Sequence, residues 1–250
     1  MLLCDLIIPA QNEIENIDPL FDALSHFIES GAVRRIILVD NGSTDGTGEA
    51  AAERGAMVLR ENLRGYGVAC LRALNWIREH GDPPAVVVFL DADLSDDPLA
   101  LPDLLNPLHE GAVDFVIGSR VKNAETGALN FVQRFGNGLA CFLMMLTTGR
   151  RYGDLGPFRA IRWTTLEQLN MQDRTWGWTV EMQMKAALLN IPFAEVQVPY
   201  RKRRHGRSKI SGTMRGVIAA GTKIISTIFI LWIKRNRIRK TGAVHICSSP

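Results

Sequence analysis

The residues of this chain best suited to chemistry are two aspartates that follow a short apolar run. Residues 86–90 have the β-branched and aromatic composition of a strand buried inside a parallel sheet, and Asp91 and Asp93 come directly after it. If the strand conformation continues through Ala92, the two-residue repeat of a strand places both carboxylates on one face. Two carboxylates at the end of a strand can share a hard divalent cation or bind a sugar hydroxyl.

A simpler explanation is that these acids only cap the helix that follows. Asp97 and Pro98 already supply the N-cap and the first-turn proline of that helix, so Asp91 and Asp93 lie too early for this role. We therefore interpret the pair as a metal or ligand site rather than as part of a solvated loop.

Strands and helices alternate along the chain that carries this pair. The patterns predict strands at 2–8, 35–39, 57–60, 86–90, 113–118 and 193–198, and helices at 14–28, 49–54, 65–79, 98–110, 129–146 and 179–189. Residues 154–159 are rich in turn formers and carry an acid and an arginine. Alternation of this kind predicts an α/β fold with a doubly wound, mostly parallel sheet.

Three of the loops that follow strands carry polar side chains. They contain Glu13, Asp40, and Asp91 with Asp93. Because the carboxyl ends of parallel strands lie at one edge of the sheet, these loops can converge on a single ligand. The sequence has neither the P-loop spacing nor a complete G-x-G-x-x-G motif, which disfavours a dinucleotide site of the dehydrogenase kind.

Composition sets the broad class of the protein. A chain of 250 residues with 46% hydrophobic content can bury a full core in one large domain. The cysteines, Cys4, Cys70, Cys141 and Cys247, are scattered along the chain and form no C-x-x-C pair, so we expect neither a disulfide framework nor a zinc site. The chain starts without the basic segment of a secretory signal, and a reducing, cytosolic compartment fits best.

The small net charge of +3 hides a strong asymmetry along the chain. All 26 acids lie at or before Glu195, together with 16 Lys and Arg residues, so this part carries a net charge of −10. The other 13 Lys and Arg residues give the remainder a net charge of +13. A basic tail on an acidic body indicates an anionic partner such as phosphate groups or anionic lipid.

Residues 213–233 predict an amphipathic helix, because five polar side chains of this apolar stretch fall within about 140° of arc, namely Arg215, Thr222, Lys223, Ser226 and Thr227. Basic runs flank it at 201–209 and 234–240. Both flanks favour a helix that lies in the cytoplasmic membrane interface rather than one that spans the bilayer. A helix packed into the core is the alternative, and nucleic-acid binding is disfavoured because the basic runs hold few aromatic residues.

Taken in order, these motifs resemble the family 2 glycosyltransferases of the GT-A fold, and among them the dolichyl- and polyprenyl-phosphate sugar synthases. The resemblance extends over residues 3–212. Residues 9–13 (PAQNE) and 40–47 (DNGSTDGT) resemble the two loops that contact the nucleotide, and residues 91–93 (DAD) resemble the metal-binding DxD motif. Residues 118–120 (GSR), 156–158 (GPF) and 203–209 (RRHGRSK) also follow the family order.

The resemblance implies a role for each candidate residue. The nucleotide-sugar would contact Pro9, Ala10, Glu13, Asp40, Asp91 and Asp93, with Asp40 at the base. Mg²⁺ or Mn²⁺ would be held against the diphosphate by Asp91 and Asp93. The catalytic residues would be Asp93, Asp154, Arg120, Arg134, Arg203 and Lys209. Ser95 and Pro157 depart from the pattern of the mannosyl enzymes, which leaves the sugar and the nucleotide open.

The chemistry that follows is electrostatic. Arg203 and Lys209 would stabilise the charge that develops on the leaving nucleoside diphosphate. Arg120 and Arg134 could orient an acceptor phosphate. A phosphate monoester is already ionised at neutral pH, so no strong general base is needed.

A hydroxyl acceptor would need a base, and Asp154 or Glu181 would have to take its proton. For Arg134 and Glu181 considered singly, a salt bridge on a helix surface is an equally good explanation.

We therefore expect an inverting glycosyltransferase that moves a sugar from a UDP- or GDP-sugar to a polyprenyl or dolichyl phosphate. It would act at the cytoplasmic face of a membrane, with an anionic membrane surface as a partner and no nucleic acid. A GT-A catalytic domain would occupy residues 1–212 and a basic, amphipathic, membrane-associating tail residues 213–250. The alternatives are transfer to a lipid or saccharide hydroxyl and a non-catalytic membrane protein that binds nucleotide-sugars.

Overall fold

A computed structural model describes residues 3–205 and 214–247 of the chain. Within them the strands are β1 Cys4–Ala10, β2 Val33–Asp40, β3 Met57–Arg60, β4 Val86–Phe89, β5 Phe115–Ser119, β6 Arg159–Arg162 and β7 Phe193–Gln197. The helices are α1 Ile14–Glu29, α2 Thr47–Glu53, α3 Tyr66–His80, α4 Leu101–His109, α5 Phe131–Thr148, α6 Trp163–Leu169, α7 Trp178–Leu188, α8 Met214–Ile233 and α9 Arg235–Cys247. A single turn of 3-10 helix, Pro98–Ala100, leads into α4.

The described strands form one seven-stranded sheet in the order β3-β2-β1-β4-β6-β5-β7. The pairs of β1 with β2 and β4, of β2 with β3 and of β5 with β7 are parallel. Strand β6 runs antiparallel between β4 and β5. The α/β class with a mostly parallel sheet is therefore confirmed.

The sequence patterns missed β6 and the helix α6 that follows it. Residues 154–159 were interpreted as a turn, but Arg159 begins β6 and is fully buried. The strand has the sequence RAIR, and an arginine at each end gives no apolar signal for a buried strand. Arg159 is tolerated there because its Nε donates to the Gly156 carbonyl (3.1 Å) and its Nη1 to the Thr179 carbonyl (3.1 Å).

The sheet is covered on both faces, which explains its continuous apolar strands. Along β4, Val87 and Phe89 point into one core cluster, and Val86 and Val88 point into the other. The first cluster is closed by residues of α3, α5, α7 and α8, and the second by residues of α1 and α4. This two-sided burial holds the carboxyl end of β4, and thus Asp91, in a fixed position.

The two C-terminal helices pack on the domain. Helix α8 contacts α5 and α7, and α9 contacts α6 and α7. On α8 the buried side chains are Thr227, Ile228 and Leu231. In the described residues we find no helix that is both long and apolar enough to cross a bilayer.

The start of α3 is held against the loop that precedes α7. Gly67 N donates to the Thr175 carbonyl (3.2 Å) and Val68 N to the Arg174 carbonyl (3.1 Å). A Cβ at Gly67 would lie 2.0 Å from the carbonyl oxygen of Asp173, so this close approach of two backbones needs a glycine.

We predict that Gly67→Ala lowers the free energy of unfolding by about 1–3 kcal/mol, because the added methyl group forces the two backbones apart. Urea denaturation measures the change. Gly138→Ala in α5 is the matched control, since a Cβ there has no atom within 4 Å, and it should leave stability unchanged or raise it by about 0.5–1 kcal/mol. Equal midpoints for Gly67→Ala and the wild type would contradict the contact.

Candidate functional site

A cavity of about 570 Å³ opens at the carboxyl ends of β1, β2 and β4. Its size is within the range of small-molecule sites. It is lined by Pro9, Ala10, Gln11, Glu13, Asn41, Arg64, Gly65, Tyr66, Ala69, Asp91, Ala92, Asp93, Thr175, Trp176 and Arg203. Five of the six residues predicted to contact a nucleotide-sugar are in this list, and Asp40 is not.

Asp91 and Asp93 both line the cavity, but β4 ends at Phe89 and residues 92–93 form a turn, so the expected strand repeat is not what brings the two carboxylates together. Asp93 Oδ1 accepts a hydrogen bond from Ser95 N (2.9 Å), which fixes this carboxylate. Asp91 Oδ1 is buried and has no hydrogen-bond partner in the described residues. Burial, and then the charge of Asp93, raise the pKa of Asp91 to about 7. Positive charge placed between the two carboxylates would relieve both effects.

In the described residues that positive charge comes from Arg203, which is 110 positions later in the chain than Asp93. Arg203 Nη2 lies 2.5 Å from Asp93 Oδ2, and Arg203 Nη1 lies 3.2 Å from Glu13 Oε1. Glu13 Oε2 also accepts a hydrogen bond from Asn16 Nδ2 (2.7 Å). One guanidinium therefore joins the loop after β1 to the loop after β4.

The loops after β1 and β2 are bound to each other. Glu13 N donates to Thr47 Oγ1 (2.9 Å), and Thr44 N donates to Asn12 Oδ1 (2.8 Å). Asp40 Oδ1 accepts from Ser43 N (2.8 Å), and Asp40 lines a separate cavity of about 380 Å³. Its assignment to the base of a nucleotide stays a prediction.

Asp154 and Arg120 form a buried ion pair outside the cavity lining. Asp154 is fully buried and accepts from Arg120 Nη2 (2.8 Å), Arg120 Nε (2.9 Å) and Arg120 N (2.7 Å). Burial by itself would raise the pKa of Asp154, but the hydrogen bonds and charge of Arg120 outweigh it and hold that pKa below its ordinary value. This arrangement makes Asp154 a poor proton acceptor and pairs Arg120 with it, and the substrate contacts expected of both stay predictions.

Other predicted residues also lie away from the cavity. Arg134 is on the exposed side of α5, where its Nε donates to the Leu129 carbonyl (3.3 Å). Glu181 pairs with Lys185 (2.8 Å), but both side chains are buried, so this is not the surface salt bridge considered from the sequence, and a role for Glu181 as a base stays a prediction. Lys209 falls outside the described residues, and its role stays a prediction.

Asn41, Tyr66 and Trp176 are among the cavity residues that the sequence did not single out as site residues. Asn41 Nδ2 donates to the carbonyls of Glu61 (3.0 Å) and Leu63 (2.7 Å) and so shapes the rim. Tyr66 and Trp176 add aromatic surface on the side of α3 and of the loop before α7. The sequence feature that could have identified the two aromatic residues is the glycines beside them, in Gly65-Tyr66-Gly67 and Trp176-Gly177-Trp178. Glycine allows two backbones to approach each other closely.

The loop that carries Trp176 is held by two acids. Glu181 Oε2 accepts from Asp173 N (2.7 Å), and Asp173 Oδ1 accepts from Thr175 N (2.8 Å) and Gly177 N (3.1 Å). Lys223 of α8 pairs with Asp173 Oδ2 (2.7 Å). Glu181 and Asp173 thus position one wall of the cavity, and α8 supports that wall.

The donor set fits a hard divalent cation that takes further ligands from its substrate. Asp91 offers an unpartnered buried oxygen, and Asp93 is beside it. In the described part of the chain no group of three or more His, Cys, Asp or Glu side chains surrounds one point. One or two carboxylates completed by substrate phosphates is the usual arrangement for Mg²⁺.

The sequence matches the model of a known family and several proteins of known type. The model described as "Glycosyl transferase family 2" matches residues 5–170. An uncharacterized glycosyltransferase of Mycobacterium tuberculosis is 32% identical over 217 residues, which cover 86% of this chain and 93% of that protein. The undecaprenyl-phosphate mannosyltransferase of Micrococcus luteus is 30% identical over 221 residues, which cover 84% and 88% of the two chains.

Solved structures share the fold. The glucosyl-3-phosphoglycerate synthase of Mycobacterium tuberculosis, solved in complex with Mn²⁺, uridine diphosphate and glucosyl-3-phosphoglycerate, superposes with a TM-score of 0.68. The match covers 91% of this chain and 78% of that chain at 22% sequence identity. At this identity the comparison shows a common fold.

We predict that Asp154→Asn lowers the free energy of unfolding by about 3 kcal/mol or more, because it removes the carboxylate that pairs with the largely buried guanidinium of Arg120. Urea denaturation again measures the effect. Glu49→Gln is the control, since Glu49 pairs with Arg60 (2.5 Å) on the surface, where both side chains are more than half exposed, and its cost should stay below about 1 kcal/mol. Similar losses in the two variants would refute the importance of the buried pair.

Proposed function

This chain belongs to glycosyl transferase family 2, and we propose that it transfers a sugar, with inversion, from a UDP- or GDP-sugar to a polyprenyl phosphate. It is a glycosyltransferase by its family; the donor, the acceptor and the place of action are the proposal. The observation that carries it is the meeting of Asp91, Asp93, Glu13 and Arg203 at one cavity. Carboxylates for a metal and a cation for phosphate are what a diphosphate leaving group requires.

Asp91 and Asp93 are the residues that would hold Mg²⁺ or Mn²⁺. When bound, the ion would supply positive charge to the diphosphate and so stabilise its departure. The related fold of the solved synthase holds Mn²⁺ and uridine diphosphate in its own structure, which supports this choice of cofactor.

Arg203 is the cation that this chain itself brings to the diphosphate. Its guanidinium is partly exposed, since 28% of its side-chain surface is accessible, and it already spans the two loops that would enclose the donor. A guanidinium binds phosphate oxygens through paired hydrogen bonds. Moving from Asp93 to a phosphate would keep Arg203 paired while freeing Asp93 for the metal.

A phosphate acceptor is supported by the contacts of Asp154 and Glu181, the two residues expected to act as a base toward a hydroxyl. A hydroxyl acceptor requires a carboxylate that can take a proton, but Asp154 is committed to Arg120 and Glu181 to Lys185 and the loop before α7. An ionised phosphate attacks without such help. The name of the Micrococcus luteus relative, an undecaprenyl-phosphate mannosyltransferase, supports the same acceptor class.

The basic C-terminal part supports a site of action at a membrane. A polyprenyl phosphate resides in a bilayer, and residues after Glu195 carry 13 Lys and Arg residues and no acid. Basic segments of this kind bind anionic cytoplasmic leaflets at about 1 kcal/mol per residue near the surface. We therefore place the protein at the cytoplasmic face of a membrane, with residues 213–250 as the associating tail.

The proposal predicts product formation from a prenyl phosphate and not from the matching prenol. Purified protein in detergent is incubated with Mn²⁺ and a panel of radiolabelled UDP- and GDP-sugars. The acceptors are a short prenyl phosphate, the prenol that lacks only the phosphate, and 3-phosphoglycerate. Label extracted into organic solvent with the prenyl phosphate is the expected result. Transfer to the prenol or to 3-phosphoglycerate instead would overturn the proposed acceptor.

Asp93→Asn is the internal control of this assay. Because an amide cannot supply the anionic oxygen that a hard dication prefers, the variant should lose about a hundredfold or more of the rate while keeping its circular dichroism spectrum. Wild-type rates in the variant, or in EDTA, would contradict the metal site.

A further inference from the structure

Helix α5 carries a stripe of large apolar side chains that face solvent. Phe131 is 81% exposed, Phe135 and Leu146 are each 62% exposed, and Phe142 is 51% exposed. At the α-helical repeat these four positions fall within about 60° of arc. The buried residues Ala140, Cys141 and Met144 lie on the opposite side of the helix, so core packing does not explain the stripe.

Helix α8 repeats the pattern. In its described part the exposed large apolar side chains are Ile218, Phe229, Ile230, Trp232 and Ile233, and all of them except Ile230 fall within about 100° of arc. Thr227, Ile228 and Leu231 are buried on the other side. Two polar residues of this helix are directed toward the domain: Lys223 pairs with Asp173, and Thr227 lies against Gly177. A helix of a soluble domain normally has the reverse arrangement.

The two stripes lie on neighbouring helices. Helices α5 and α8 contact each other, and both contact α7. Each buries the face toward the domain and exposes the opposite face, so both stripes are directed away from α7. We call this surface the docking face and define it by Phe131, Phe135, Phe142 and Leu146 of α5 with Ile218, Phe229, Trp232 and Ile233 of α8.

The charges on the two chain segments that carry the docking face are of one sign. Between Glu125 and Asp154 the chain has no acid but contains Arg134, Arg150 and Arg151. After Glu195 it again has no acid. A second copy of the chain would bring the same cations against each other across a two-fold axis. An anionic bilayer matches both the apolar stripes and the surrounding positive charge.

We propose that the docking face inserts into the headgroup boundary of an anionic bilayer, so that α5 of the catalytic domain, and not the tail alone, anchors the enzyme. The proposal deepens the proposed function, because it names the surface that would bring the site to a lipid acceptor. It does not depend on the reaction, since vesicle binding needs no sugar donor.

The test is cosedimentation of the full chain with vesicles of phosphatidylcholine, alone or mixed with phosphatidylglycerol. Leu146→Ser removes one side chain of the docking face, and Leu99→Ser is the matched control, because Leu99 is also a leucine with 62% exposure but lies in the 3-10 turn before α4. We expect Leu146→Ser to weaken partitioning onto mixed vesicles about tenfold, and Phe135→Ser with Leu146→Ser about a hundredfold. Leu99→Ser should bind as the wild type does.

Three results would overturn the proposal: wild-type binding by the double variant, equal losses for Leu146→Ser and Leu99→Ser, or binding that does not depend on phosphatidylglycerol. Light scattering after gel filtration tests whether a second copy of the chain occupies the docking face instead of a bilayer. A dimer that Leu146→Ser dissociates would assign the docking face to that second copy. Turnover of the short prenyl phosphate in detergent separates the two proposals. If docking is right, both serine variants keep that rate even where vesicle binding is lost.

Discussion

Like charges gathered at one edge of the sheet are the constraint on which this site depends. Glu13 follows β1, Asp91 and Asp93 both follow β4, and all three line the same cavity, where their mutual repulsion requires a cation among them. Arg203 supplies it in the described residues by pairing with Glu13 and Asp93. A diphosphate carried in with a divalent cation would satisfy all four groups at once, which is why a site of this kind suits a nucleotide-sugar.

Some of the charged residues that lie outside the cavity lining form ion pairs with one another. Arg120 with Asp154 and Lys185 with Glu181 are largely buried pairs that hold loops in place. They could not be told from reactive groups in the sequence, because spacing shows which residues are charged but not which partner each one meets. Arg120 and Asp154 are 34 positions apart, and only the fold brings them together. The same holds for Trp176, whose place in the cavity wall depends on a loop docked against α3.

Where local pattern and burial agree, the sequence predicted the fold well. The buried strand before Asp91 and the alternation of strands and helices follow from continuous apolar runs and helical periodicity. Strand β6 was missed because its two arginines give it a charged composition. Carbonyl oxygens that only the fold brings close accept hydrogen bonds from Arg159 and allow it to be buried. Periodicity also predicted α5 and α8, but it cannot show which side of a helix meets the domain. The outward position of Phe135 is therefore information from the structure alone.

The central claim is that the two aspartates and an incoming diphosphate bind one metal ion jointly. Isothermal titration of Mn²⁺ into the protein, with and without saturating uridine diphosphate or guanosine diphosphate, tests it most directly. Because the described residues place no group of three or more His, Cys, Asp or Glu side chains around one point, we predict weak Mn²⁺ binding alone, and binding at least tenfold tighter when the fitting nucleotide is present. Mn²⁺ affinity that neither nucleotide changes would contradict the account.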